Sequence, residues 1–211
     1  MGSNSLTTTR PTPADLQRLL RSLHSLDRPD SDLPVGGYPE SRMTDQANRA
    51  AVLVPILEGR QPCVLLTVRH RRLTKHAGQV ALPGGRQDQG ESFPLDTALR
   101  EASEEVGIPP ESVQALGLLD RVNTISQFRI TPVVGLVPNH IEPVRSPDEV
   151  SHLYRLPLAW ALDPARYRRH RVIRAGQPFH IMSLAAQQWP IWGATASILY
   201  QLALAATGSK R

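Results

Sequence analysis

The stretch GGRQDQGESFPLDTALREASEEVGI, from Gly84 to Ile108, is the segment that decides how this chain folds. Within it, Glu101, Glu104 and Glu105 are spaced i, i+3 and i+4, which places all three carboxylates on one face of a helix. Like charges at that spacing repel each other, so a helix surrounded only by water gains nothing from them. A hard divalent cation bound through oxygen removes the conflict, and the pattern therefore predicts a site for Mg²⁺ or Mn²⁺.

The residues around these glutamates predict a helix that is anchored in a core. Apolar side chains recur beside the glutamates at helical spacing: Leu95, Ala98, Leu99, Ala102 and Val106. Pro94 suits a first helical turn, and Gly107 followed by two prolines ends the helix. Upstream, Val80–Leu82 reads as a short strand that ends in a glycine turn, and such a turn brings the Gly85 carbonyl within reach of a metal ion.

At these spacings the segment resembles the Nudix box, G-x5-E-x7-R-E-U-x-E-E-x-G-U, in which U is an apolar residue. The matching residues are Gly85, Glu91, Arg100, Glu101, Glu104, Glu105 and Gly107. An isolated E-x-x-E-E pattern is usually a solvated helix face, but the other matching residues favour a site. The resemblance implies an α/β fold, a Nudix-type α/β/α sandwich with a mixed β-sheet. It also implies that Glu91 and Arg100 brace the loop against the helix; otherwise Arg100 reads as a surface cation.

The segment before the box narrows the resemblance to one branch of the family. Eight residues separate Glu91 from Arg100 where the box has seven, and the coenzyme A pyrophosphatase branch typically carries the same extra residue. Residues 65–85 resemble the signature of that branch, L-L-T-x-R followed by L-R-x-H-x-G-Q-V-x-F-P-G-G. Thr74 and Leu82 stand where the branch has Arg and Phe, which leaves the exact substrate open.

The candidate catalytic residues follow from the chemistry of a pyrophosphate bond. Its hydrolysis needs charge neutralisation and an aimed water molecule more than a covalent nucleophile. Divalent ions held by the three box glutamates and the Gly85 carbonyl would bridge phosphate oxygens and lower the pKa of bound water. We therefore predict Glu104 and Glu105 as catalytic residues, together with Glu149 as a further metal ligand or general base. Glu149 reads equally well as part of a turn.

Basic residues supply the candidate substrate-binding group. The net charge is +5, and the basic residues gather before the glycine turn and between Arg166 and Arg174. The first group contains the residues that we predict to bind substrate: Arg69, Arg72, Lys75 and His76. Arginines suit the phosphates of coenzyme A, although the same group reads also as a solvated loop face. His76 reads equally as a structural histidine. Trp189 and Trp192 read more readily as core residues than as platforms for base stacking.

The chain has 211 residues, enough for one enzyme domain with an N-terminal appendage. We predict that residues 1–40 form a tail, a helix from Ala14 to Leu26 and a linker from Asp27 to Glu40, and that residues 41–211 form the hydrolase domain with a C-terminal helix. The predicted strands are Ala50–Leu57, Cys63–Val68, Val80–Leu82, Val113–Leu119, Ile130–Val137 and Glu149–Leu156, with a hairpin at Val172–Met182. The last predicted element is a helix from Ala194 to Ala205.

Several classes of partner are disfavoured by the sequence. It contains no zinc-finger, RRM or helix-turn-helix pattern, and aromatic residues are scarce, so we expect no nucleic-acid partner. No stretch of eighteen apolar residues predicts a membrane span. The single Cys63 and the polar first residues favour a reducing, cytoplasmic location. The oligomeric state is left open, with a homodimer as one option.

These observations predict a metal-dependent pyrophosphatase that cleaves coenzyme A or its derivatives to 3′,5′-ADP and 4′-phosphopantetheine or its acylated form. The alternative substrate is ADP-ribose or another nucleoside diphosphate derivative. A non-catalytic nucleotide sensor with the same fold is a further hypothesis. Because all three box glutamates are present, the sequence favours an enzyme over a sensor.

Overall fold

The computed structural model of the chain describes residues 13–174, 176–186 and 188–208. The predicted tail, Met1 to Thr12, lies outside these residues, as does Ala175 in the predicted hairpin turn. Among the helices in the described ranges, none has both the length and the hydrophobicity that a bilayer span requires.

Helices and strands follow each other along the chain in a mixed order. The elements of the first half are α1 (Pro13–Ser22), β1 (Val35–Gly37), β2 (Asn48–Leu57), β3 (Cys63–Arg69), β4 (Val80–Ala81), β5 (Gly84–Arg86) and α2 (Leu95–Val106). Those of the second half are β6 (Gln114–Leu118), β7 (Arg121–Asn123), β8 (Phe128–Val137), β9 (Val150–Pro157), α3 (Leu158–Ala161), β10 (Tyr167–Arg174), β11 (Gln177–Leu184), β12 (Ile191–Trp192) and α4 (Gly193–Thr207). Each strand predicted from the sequence is present, with shifts of one or two residues at the ends. The predicted hairpin is longer, because its first strand begins at Tyr167, five residues before Val172.

The larger sheet is mixed and contains β1 to β9. Its order is β1-β7-β8-β2-β3-β4, and β5, β6 and β9 pair with β2, β8 and β3. β2 lies at the centre, parallel to β8 along its whole length and antiparallel to β3. Every residue from Ala50 to Leu57 is buried, as expected for a strand whose sheet is covered on both faces. The smaller sheet has the order β10-β11-β12.

Two apolar clusters lie on the two faces of the larger sheet. Successive residues of β3 alternate between them, because side chains of a strand point to opposite faces. Leu65 packs in the cluster that contains Ala98 and Ala102 of α2, whereas Leu66 packs in the one that contains Leu202 of α4. The helix α1 lies against α4. The predicted sandwich of a mixed sheet between helices is confirmed.

The segment from Asp27 to Glu40 is not the linker that the sequence predicts. It contains β1, which runs parallel to β7, and Leu33, which is buried. Its prolines and glycines suggested a loop, but Gly37 is needed for strand pairing. A Cβ at Gly37, where φ is +81°, would lie 2.5 Å from the Asn123 carbonyl oxygen. The helix α1 also ends at Ser22, earlier than Leu26.

We expect the N-terminal helix to contribute to the stability of the whole chain. Leu19 is 1% exposed and packs in the cluster with α4, so Leu19→Ala should lower the free energy of unfolding by about 2–5 kcal/mol. Leu20, on the same helix, is 50% exposed, and Leu20→Ala is the matched control with an expected loss below about 0.5 kcal/mol. Urea denaturation measures both. Equal, small losses would show that α1 is an independent appendage.

Candidate active site

The candidate site forms where the strand β5 approaches the helix α2. Gly85 lies in β5, opposite Ala51 of the central strand. A Cβ added at Gly85 would overlap the carboxylate of Glu101, so this position accepts only glycine while Glu101 keeps its place. The glycine turn therefore brings the backbone of β5 directly against a side chain of the helix.

The three glutamates of the helix α2 differ in how deeply they are buried. Its apolar residues, among them Ala102 and Val106, are fully buried. Gly107 ends it in the left-handed conformation, with φ of +65°, as its position after the apolar stripe predicts. Glu104 is exposed, Glu101 is partly buried and Glu105 is 3% exposed.

Glu105 is the buried carboxylate of the site. Arg69 Nη1 lies 3.4 Å from Glu105 Oε1, and the Gly84 N–H donates to Oε2 at 3.3 Å. Burial raises the pKa of Glu105 to about 7, although the Arg69 guanidinium acts in the opposite direction. The negative charges of Glu101 and Glu149 raise the same pKa further. Three carboxylates, two on α2 and one from just before β9, are therefore close enough to repel one another.

Glu101 is subject to the same repulsion. Burial raises its pKa, and the Arg100 guanidinium partly offsets the rise. The charges of Glu104 and Glu149 raise the pKa of Glu101 further. Glu149, which is exposed just before β9, thus lies near the helical glutamates despite its distance in sequence.

Arg100 is bonded to several oxygen atoms at once. Its Nε donates to Glu91 Oε1 at 2.6 Å, and its Nη2 donates to the Arg86 carbonyl at 3.0 Å. The same side chain reaches Glu101 Oε1 at 3.0 Å and Glu104 Oε2 at 3.2 Å. Its burial would lower the pKa of Arg100, but the bonds to Glu91 and Glu101 raise it above its ordinary value. Arg100 therefore connects the loop after β5 with two glutamates of the helix.

Glu91 is the fixed end of this connection. Besides Arg100, it accepts a hydrogen bond from Thr97 Oγ1 at 2.6 Å and from the Asp88 N–H at 2.8 Å. Thr97 is fully buried and was not predicted as a site residue. The sequence feature that could have indicated Thr97 is its position, a hydroxyl residue next to the apolar stripe of the helix and six residues after Glu91.

The glutamates do not form a ready-made metal cage. Within the part of the chain that the structure describes, no three His, Cys, Asp or Glu side chains are grouped so that they could hold a metal ion together. Arg100 is bonded to Glu101 and Glu104, and Arg69 is paired with Glu105. The donor set nonetheless fits a hard divalent cation, because it consists of carboxylate oxygens that repel one another and are partly removed from water.

The predicted substrate-binding residues lie at the end of β3 and in the loop between β3 and β4. Arg69 reaches the buried Glu105, but Arg72, Lys75 and His76 are exposed. His76 adopts a left-handed conformation, with φ of +57°, and its Nδ1 lies 3.0 Å from Gln79 Oε1. The structure thus places Arg69 beside the clustered glutamates and the other three residues on the adjoining loop.

Comparisons with known proteins identify the family. Residues 47–176 match the NUDIX domain. NudL of Escherichia coli (strain K12), described as an uncharacterized Nudix hydrolase, is 43% identical over 164 residues, which covers 78% of this chain and 85% of the relative. NudL of Klebsiella pneumoniae (strain 342), described in the same way, is 44% identical with the same coverage. The chain belongs to the Nudix family, whose hydrolases act on phosphoanhydride bonds.

The fold of this chain also superposes in part on solved structures of Nudix proteins. The MutT NUDIX hydrolase from Burkholderia pseudomallei overlaps with a TM-score of 0.46 at 22% identity, covering 74% of this chain and 98% of that one. The Nudix hydrolase RenU from M. smegmatis overlaps with a TM-score of 0.44 at 25% identity, covering 53% and 71%. The family assignment rests on the sequence matches and not on these overlaps.

The bond between Glu91 and Arg100 should make stability depend on pH. Burial alone would raise the pKa of Glu91, but hydrogen bonds from Thr97 and Arg100 lower it overall. A carboxylate with a lowered pKa stabilises the fold above its unfolded pKa, near 4.3, and this contribution disappears as the pH falls through the folded value. Glu91→Gln should therefore cost about 1–3 kcal/mol at pH 7 and much less at pH 3.

Chemical denaturation at the two pH values measures the difference between wild type and Glu91→Gln. Arg18→Ala is the control, because it breaks an exposed ion pair with Asp15 whose expected worth is below about 1 kcal/mol. A loss of the same size at both pH values would show that the Glu91 side chain acts through packing and not through its charge.

Proposed function

We propose that the chain is a divalent-metal-dependent pyrophosphatase that cleaves coenzyme A or its derivatives to 3′,5′-ADP and 4′-phosphopantetheine or its acylated form. The observation that carries this proposal is that the end of β3 and the loop after it, beside the carboxylates, carry only positive charges. From Arg69 to Gln79 the chain has no acidic residue, but it has four basic ones: Arg69, Arg71, Arg72 and Lys75. A substrate with several phosphates would be attracted to such a loop.

Arg69 connects this loop with the candidate metal site. Its Nη1 faces Glu105, while its Nε is buried and has no hydrogen-bond partner among the described residues. A buried guanidinium N–H without a partner is unfavourable, and a phosphate oxygen would satisfy it with a charge-assisted hydrogen bond. This supports a role for Arg69 in holding the substrate next to the carboxylates.

The box glutamates are our candidates for holding the metal ion. Glu101, Glu104 and Glu105 would supply carboxylate oxygens, and Gly85 a backbone carbonyl. A bound divalent ion would neutralise the pyrophosphate and lower the pKa of a coordinated water molecule. Glu149 is our candidate for orienting that water or accepting its proton, because it is exposed and lies near the helical glutamates.

Activity should depend on the metal ion and on the buried glutamate. EDTA should abolish hydrolysis, and added Mg²⁺ or Mn²⁺ should restore it. Glu105→Gln should lower kcat by roughly 100-fold or more, corresponding to the loss of a few kcal/mol of transition-state stabilisation. Glu111→Gln, at an exposed glutamate just after the helix, is the control and should retain wild-type kcat. Turnover is measured as the rate of 3′,5′-ADP formation from coenzyme A. Normal turnover of Glu105→Gln would show that Glu105 is not part of the active site.

The substrate is tested by product analysis on a panel of coenzyme A, dephospho-coenzyme A and ADP-ribose. Loss of one charge-assisted contact costs about 1.5–3 kcal/mol, so dephospho-coenzyme A should have a kcat/KM about 10- to 100-fold lower than coenzyme A. Lys75→Ala should reduce that preference while leaving dephospho-coenzyme A unaffected. Faster cleavage of ADP-ribose would favour the alternative substrate class, and binding without any cleavage would favour the nucleotide sensor.

A further inference from the structure

A small cleft lies beside the candidate site and is not used in the chemistry described so far. Its volume is about 190 Å³, and its walls include Val68, Gly78, His152 and Trp189, with Arg71 at the loop side. Cavities that hold a whole drug-sized ligand measure about 300–1,000 Å³. This cleft is therefore large enough for one ring system of a ligand and too small for a molecule of the size of coenzyme A.

The register of β3 and β9 places the cleft at the same end of β3 as Arg69, but on the other face of the sheet. Val68 pairs with His152, and Arg69 pairs with Val150. The N–H of His70, which also lines the cleft, donates to the Glu149 carbonyl at 2.7 Å. Val68 and His70 flank Arg69 and point to the other face of the strand, since side chains alternate. The cleft and Glu105 therefore lie on opposite faces of the sheet, at the same end of β3.

An aromatic pair forms one wall of the cleft. The rings of His152 and Trp189 are 5.5 Å apart between centroids and tilted by 41°. Ser151 helps to orient the imidazole. Its hydroxyl lies 3.2 Å from His152 Nδ1 and donates a hydrogen bond to the Val68 carbonyl at 2.9 Å. Trp189 is only partly buried, so its indole remains available to a flat ring.

The opposite side of the cleft is formed by the basic loop. Gly78 has φ of +71° and no side chain, and a Cβ there would meet Arg71 Cγ at 3.9 Å. Arg71 is exposed, and His70 lies beside it. The cleft therefore combines an aromatic wall with the Arg71 guanidinium on its rim, which is the chemistry that recognises a nucleobase attached to phosphates.

We propose that this cleft binds the nucleobase of the substrate, with Trp189 as the stacking residue. For the substrate of the proposed function, on which the identity of the base rests, the ligand is the adenine of the 3′-phosphoadenosine half. The pantetheine half is a poorer match, because it has no flat ring and carries no phosphate next to the part that would enter the cleft. Trp189 packs against the core cluster that contains Val68, as the sequence favours, and in this proposal its exposed face also binds the base.

The test compares two probes that each represent one half of coenzyme A. Binding of 3′,5′-ADP and of 4′-phosphopantetheine to the full chain is measured by isothermal titration calorimetry. Trp189→Ala should weaken binding of 3′,5′-ADP by about 10- to 100-fold, and leave 4′-phosphopantetheine unchanged. Trp189→Phe, which keeps an aromatic face, should restore most of the affinity. With coenzyme A as substrate, Trp189→Ala should raise KM and leave kcat near its wild-type value.

Trp192→Ala is the matched control, because Trp192 is 46% exposed on the adjoining strand and does not line the cleft. It should change neither affinity. Equal affinity of wild type and Trp189→Ala for 3′,5′-ADP would overturn the proposal, as would an equal weakening of both probes. If Trp189→Ala does not fold, Trp189→Leu replaces it as the non-aromatic variant. Weak binding of 3′,5′-ADP by a folded Trp189→Leu that matches wild type for 4′-phosphopantetheine supports the proposal, and wild-type binding of 3′,5′-ADP by Trp189→Leu overturns it.

The outcomes separate this proposal from the proposed function. If coenzyme A is not cleaved but 3′,5′-ADP still binds in a Trp189-dependent manner, the base subsite stands and the substrate assignment fails. If coenzyme A is cleaved and Trp189→Ala changes neither KM nor the affinity for 3′,5′-ADP, the substrate assignment stands and the subsite fails.

Discussion

The ion pair between Arg100 and Glu91 is the interaction on which the rest of the candidate site depends. Their 2.6 Å bond fixes the loop after β5 to the middle of α2. Because this loop follows the glycine turn, the same bond determines where the Gly85 backbone meets Glu101. A shift of the helix by one residue would separate all of these groups, so the irregular loop and the regular helix behave as a single unit.

The elements predicted from the sequence are those with a strong local pattern. The stripe through Ala98 and Ala102 predicted α2, and the long apolar run from Ala50 to Leu57 predicted the central strand. The strand β1 was missed, since its three residues become a strand only through β7, far away in sequence. Arg121 and Asn123 of β7 are buried polar residues that bond to Glu40, and no local pattern signals such a strand.

The identities of the candidate site residues were likewise accessible from the sequence, but their pairing was not. The spacing of Glu101 and Glu105 placed both on α2, and the structure adds that only Glu105 is fully buried. Its partner Arg69 lies 36 residues away, and the contact arises because Arg69 ends β3 on the face of the sheet that α2 covers. The link from Arg100 to two of the helical glutamates is also a property of three-dimensional geometry, because a spacing pattern records positions and not the atom that neutralises each charge.

The exposed loop between β3 and β4 has a consequence for how this protein can change over time. Arg72, Lys75 and His76 are exposed, whereas the residues of β3 that precede the loop are buried. Surface substitutions usually alter stability by less than about 0.5 kcal/mol, so the loop can accumulate changes that the buried strands cannot. Under the proposed role of this loop in substrate binding, substrate preference can drift from one descendant to another while the helix that carries the glutamates stays as it is.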